Sequence, residues 1–102
     1  MIKHIVMWKL KERANGKSKA ENALLMKERL EGLVDQLDEL HSAEVGISFL
    51  EESGGAFSDV VLTATMDTYE DLEVYRKHKI HLKVVDFIVS VAEERRVVDY
   101  EM

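Results

Sequence analysis

A chain of 102 residues is the size of one domain, and 46% hydrophobic residues suffice for a real, if modest, core. With 20 acidic against 14 basic residues the net charge is −6, which argues against a nucleic-acid surface, since those are basic. Neither cysteine nor proline occurs. Disulfides, thiolate nucleophiles, iron–sulfur clusters and thiolate zinc sites are therefore excluded, and every turn falls to Gly, Asn, Asp or Ser.

No apolar run approaches the ~20 residues that span a bilayer. The chain opens directly into a strand pattern with no signal peptide, so cytoplasmic residence is expected. Residues Ile2 to Leu10 form the first strand. Ile2, His4, Val6, Trp8 and Leu10 share one face, and Lys3, Ile5, Met7 and Lys9 share the other. Both faces are apolar at their centre, so both are expected to be covered, one by helices and one by a partner. Asn15-Gly16 marks a turn.

Ser18 followed by Glu21 reads as a capping box. Ala20, Ala23, Leu24, Leu30, Leu33, Val34, Leu37 and Leu40 then recur at helical spacing, which predicts a helix over 18–39. His41 to Phe49 is a strand candidate, and Glu51 to Gly55 reads as a polar connection. Phe57 to Met66 alternates as a strand, with Val60, Leu62, Ala64 and Met66 on one face. Thr68, with Asp71 three residues on, opens the next helix. A further helical stretch is predicted over 82–94 with Val84, Val85, Ile88 and Val91 as its stripe, and Arg95 to Glu101 closes the chain as a strand. The order β-α-β-β-α-β is the ferredoxin-like plan, an α+β fold with a four-stranded antiparallel sheet and helices on one face. Residues 1–102 form a single domain, and no internal repeat or linker appears.

The chemistry concentrates around Tyr75, His78 and His81, three residues apart in succession, which helical spacing brings towards one side. Three readings are open. The histidine pair can ligate a metal, although nothing fixes a third ligand, and no metal is assigned. It can move protons, with the tyrosine hydroxyl steering the imidazole or polarising a carbonyl. Or it satisfies backbone groups where the helix breaks. His4, on the face of Val6 and Trp8, points at the same cavity as Trp8. Arg76, Lys77, Lys79 and Lys83 are interleaved with Glu70, Asp71, Glu73 and Asp86 and read as a solvated helix surface. Asp99 is placed to pair with a basic side chain. Neither a phosphate loop nor a Ser-His-Asp arrangement is present.

Lys3-His4-Ile5-Val6, Asp71-Leu72-Glu73-Val74-Tyr75 with His78 and His81, and Val97-Val98-Asp99-Tyr100-Glu101 together resemble the stress-responsive A/B barrel family. The resemblance covers essentially the whole chain, but this chain has His78-Lys79-Ile80-His81 where the family usually carries His-Pro-x-His. It implies a dimeric α/β barrel, a homodimer through the sheet faces, with a pocket for a small apolar or aromatic ligand between sheet and helices; from the charge, hydropathy and residue inventory above, no nucleic acid, membrane or cofactor is expected. It implies pocket-lining roles for Val6, Trp8 and His78. One plant member of the family is a polyketide cyclase, and other relatives in the wider barrel class are monooxygenases. Carried over, that implies a cofactor-free acid–base site with His81 as proton carrier, Tyr75 as its hydroxyl partner and His4 in the same pocket.

Overall fold

The computed structural model describes residues 1–49 and 57–102. The polar connection Glu51 to Gly55 lies outside the described residues. Strand β1 (Ile2–Leu10) is followed by a small hairpin, β2 (Arg13–Ala14) and β3 (Lys17–Ser18), then helix α1 (Lys19–Glu31) and a 3₁₀ turn over Gly32–Asp35. Strands β4 (Ser42–Ile47) and β5 (Val60–Met66) lead to helices α2 (Tyr69–Lys77) and α3 (Lys79–Val91), and β6 (Ala92–Glu101) closes the chain. The main sheet is four-stranded in the order β4-β5-β1-β6, and its pairings are antiparallel. This is the ferredoxin-like arrangement, with a two-residue hairpin added between its first strand and first helix. Among the described residues no helix is long and apolar enough to cross a membrane.

Asn15 at φ 56° and Gly16 at φ 75° explain that hairpin. Two successive residues with positive φ make the tight turn whose twist matches the flanking strands. The capping box forms as expected. Ser18 Oγ accepts the Glu21 N–H at 3.2 Å, and the Glu21 carboxylate accepts the Ser18 N–H at 3.0 Å. The α-helix is shorter than the periodicity predicts, because it gives way at Gly32 to the 3₁₀ turn. Glycine is a poor helix former, and tightening the last turn is a common helix ending. The turn keeps Leu33 in the core, with Leu37 and Leu40 following it, whereas Ala20 and Leu24 face solvent.

Alternation along β1 and β5 builds the core. Ile2, His4, Val6, Trp8 and Leu10 are buried opposite Val60, Leu62, Ala64 and Met66. The other face of the sheet carries Ile5 and Met7 on β1, Val61 on β5, and Val98 and Tyr100 on β6, paired across the strands. Met7, Val98 and Tyr100 are exposed there. Lys27 and Glu31 of α1 grip the edge strand at Val45. Lys27 Nζ donates to its carbonyl at 2.7 Å, and the Glu31 carboxylate accepts its N–H at 2.9 Å. The Lys27 hydrogen bond, then that of Val45, holds the Glu31 carboxyl below its usual range.

Asp59, just before β5, is fully buried. Its carboxylate accepts the Leu10 N–H at 2.8 Å and lies 3.5 Å from Nζ of the buried Lys19, tying the start of α1 to the end of β1. Removing one partner of a buried ion pair leaves the other uncompensated. An Asp59→Ala variant is expected to lose about 3 kcal/mol of folding stability in urea denaturation. A loss under about 1 kcal/mol, the scale of an exposed pair, contradicts this role.

Candidate active site

The second helical region is where the site is made. Thr68 caps α2 by accepting the Asp71 N–H at 3.1 Å. The helix stops at His78, whose backbone is extended at φ −66° and ψ 135°. No proline is needed for the break. The His78 imidazole Nδ1 accepts the Ile80 N–H at 3.1 Å and so caps α3, which begins at Lys79. That start lies three residues earlier than the periodicity predicts. The helix also ends three residues earlier, at Val91, because Ala92 and Glu94 are taken into the ladder with β1.

This break decides the fate of the three candidate side chains. In a continuous helix Tyr75 and His81 would lie about 120° apart around the axis and about 9 Å apart along it. Across the break their rings stack, with centroids 4.2 Å apart and planes tilted by 37°. His4 meets the Tyr75 ring edge-on at 5.9 Å. His78 does not join them. It was expected to line the pocket, but it is absent from the cavity wall because its imidazole is engaged at the cap. For the same reason the His-x-x-His spacing makes no chelate, and among the described residues no group of three ligating side chains converges.

Tyr75, His81, His4, Val6 and Trp8 all border one cavity of about 450 Å³ between the inner face of the sheet and the helices. That volume is in the range of small-molecule sites. Leu30 of α1, Leu62 of β5, and Val85 and Ile88 of α3 complete an apolar interior. The mouth lies between α3 and β6, where Leu82, Val89 and Val97 on its rim are exposed.

The polar groups are positioned with definite hydrogen-bond roles. His81 Nδ1 lies 3.2 Å from the Arg76 carbonyl. A carbonyl only accepts, so Nδ1 carries the proton and Nε2 keeps its lone pair. Burial lowers the His81 pKa from 6.5, against the raising effect of the Arg76 carbonyl, with His4, Arg95 and His78 nearby adding to the depression. The ring is therefore neutral at pH 7. Burial pushes the Tyr75 phenol far up, and among the described residues no hydrogen bond offsets this. Tyr75 is a lasting donor at neutral pH, never a phenolate.

His4 is held by Asp99, its partner across the β1–β6 ladder. Burial lowers its pKa more than the Asp99 hydrogen bond raises it. The second Asp99 oxygen accepts from the Arg76 guanidinium, which also lies 3.2 Å from Glu73. Arg76 is the residue that the charge pattern hides. It reads as part of a solvated basic run, yet it bonds the carboxylate that holds His4 and borders the cavity. Arg95 also borders the cavity. Strand parity is the signal for it, because Arg95, Val97 and Asp99 pair with Trp8, Val6 and His4.

The fold and this wall define a ferredoxin-like α+β domain with an apolar cavity between its sheet and helices. Residues 2–102 match the sequence profile of the stress responsive A/B barrel domain, and the chain belongs to that family. Its structure is similar to a dimeric ferredoxin-like protein of unknown function from Bacteroides fragilis, with a TM-score of 0.78, 27% identity, and coverage of 99% of this chain and 95% of that one. A protein from Arabidopsis thaliana is similar with a TM-score of 0.81 at 18% identity, covering 100% and 95% of the two chains. A hydroxynitrile lyase from Passiflora edulis is similar with a TM-score of 0.77 at 15% identity, covering 97% and 90%. No curated protein matches the chain.

The two depressed imidazoles carry a stability consequence. His4 and His81 take up protons less readily folded than unfolded, so the unfolded chain protonates first as pH falls below 6.5. Stability by chemical denaturation is expected to be level above about pH 7 and to fall on acidification through the unfolded-state histidine pKa, less steeply in a His81→Gln variant. Stability that rises between about pH 7 and pH 5.5 contradicts these environments.

Proposed function

We propose that this chain is a self-associating barrel subunit that holds a small apolar or aromatic molecule in the cavity bordered by Tyr75, His81, His4 and Trp8. The observation that carries the reading is a cavity of about 450 Å³ with an apolar interior and a few convergent polar groups. Self-association is supported by the open sheet face, where apolar Ile5, Met7, Val61, Val98 and Tyr100 have no helix layer over them among the described residues. The similar Bacteroides fragilis protein is dimeric. Burying this face would stabilise a dimer by about 25 cal/mol per Å² of apolar area removed from water.

The subunit is expected to sediment as a dimer at micromolar concentration. A Val98→Asp variant, which sets a charge on that face beside Ile5, is expected to be a folded monomer. A wild-type monomer, or an unchanged dimer in the variant, contradicts association through this face.

A second reading, acid–base chemistry on a carbonyl-bearing molecule, is favoured by one specific observation. His81 has its Nδ1 proton committed to the Arg76 carbonyl, leaving Nε2 basic, and stacks on a tyrosine that stays protonated. In this reading His81 Nε2 takes a proton from carbon or oxygen of the bound molecule, and the Tyr75 hydroxyl donates to its carbonyl. The hydroxynitrile lyase from Passiflora edulis shares the fold, but the reading rests on the geometry of this chain.

Positioned acid–base groups contribute about 10²–10⁴-fold, so His81→Gln is expected to lose turnover by that factor while remaining folded and dimeric. The rate should rise with pH through a value below 6.5 and then level, because the working form is the neutral imidazole. Full turnover by the variant removes His81 from the chemistry and leaves the binding reading in place.

A further inference from the structure

The cavity is selective in its polarity. The whole chain is acidic, with 20 acidic and 14 basic residues. Yet among the described residues the cavity wall includes Arg76 and Arg95 and no aspartate or glutamate. The remaining polar groups lean the same way. Trp8 is buried and its indole N–H has no hydrogen-bond partner among the described residues, an uncommon state for a buried donor. The Tyr75 hydroxyl remains protonated. Of the side chains on the wall, only the imidazoles and the Tyr75 hydroxyl oxygen offer lone pairs.

Arg76 is already engaged by Asp99 and Glu73. Arg95 is not paired with any carboxylate of the described residues, and it stands on β6 beside the apolar rim residue Val97. Its charge is felt inside, since it contributes to the depression of both His4 and His81. A guanidinium at the edge of an apolar cavity suits a carboxylate, which it binds through two parallel N–H···O bonds.

We infer that the molecule held in this cavity is an amphipathic carboxylate, with its carboxylate on Arg95 at the mouth and its apolar body against Val85, Ile88 and Leu30. The inference rests on the pocket reading above and names the class of molecule that the pocket takes. The donor-rich wall disfavours a cationic molecule, and the apolar interior disfavours an anion without a tail. A carboxylate docked at Arg95 leaves the far end of the ligand facing Tyr75 and His81, where the proton chemistry is placed.

The test compares 4-phenylbutyrate with 4-phenylbutan-1-ol, which share a body and differ at one end, by calorimetry on the intact protein at pH 7.5. The acid is expected to bind about tenfold more tightly than the alcohol, the scale of a charged hydrogen-bonded pair. An Arg95→Gln variant is expected to lose that preference while binding the alcohol within about twofold of the wild type, which also shows that its pocket is folded. Arg95→Lys, keeping the charge without the fork, should fall between the two. Equal binding of acid and alcohol overturns the carboxylate assignment and leaves the pocket reading standing. A preference that survives in Arg95→Gln also overturns it. If neither probe binds, both the assignment and the pocket reading fail.

Discussion

His78 leaves the helical region for a single residue, and the geometry of the site follows from that departure. An unbroken helix separates residues six apart in direction as well as along the axis. Here the chain turns, the imidazole of the turning residue caps the next helix, and the rings of Tyr75 and His81 come into contact. The same turn leaves the Arg76 carbonyl where His81 Nδ1–H can reach it. One local bond therefore sets both the position of the imidazole and the nitrogen that keeps its lone pair. The carbonyl is itself a helix-end group that needs a donor, so the arrangement meets a structural demand.

Around that turn the sheet provides the other wall, and its two faces divide the work. The inner face carries His4, Val6 and Trp8 from β1, and Asp99 holds His4 from β6 while accepting the Arg76 guanidinium from α2. Three elements are thus joined through one carboxylate beside the cavity. The outer face carries the apolar residues that need cover. Because side chains alternate along each strand, a slip of one residue in the β1–β6 register would exchange the two sets and lose the cavity wall and the apolar outer face together.

Much of this was legible in the sequence, for reasons that differ by element. Alternation along Ile2 to Leu10 and Val60 to Met66 reported the buried face directly, because one side of each strand meets the core. The caps at Ser18 and Thr68 were readable because a hydroxyl bonding to a backbone N–H three residues on is a local event. A helix break near the histidines is one of the readings the sequence leaves open, but the exact start of α3 is not legible. Its cap is an imidazole rather than a hydroxyl, and without a proline nothing marked residue 78 as extended. Of the readings open for the histidine pair, backbone satisfaction at a helix break is the one His78 fulfils, as the hinge between Tyr75 and His81. Arg76 escaped because its decisive partner, Asp99, lies on a distant strand, and only the register and the packing of α2 bring the two together. The early end of α1 has a local cause, Gly32, which the apolar periodicity running through it masked.

The central claim is that His81 is a neutral imidazole, protonated on Nδ1, with its Nε2 lone pair available in an apolar cavity. Nitrogen-15 NMR of the histidine side chains at neutral pH tests it most directly, because the two ring nitrogens have different shifts when one carries the proton. The account predicts a protonated Nδ1 and an unprotonated Nε2 for His81, with the ring becoming charged only below pH 6.5. A His81 ring protonated on Nε2, or one already charged at neutral pH, would contradict it.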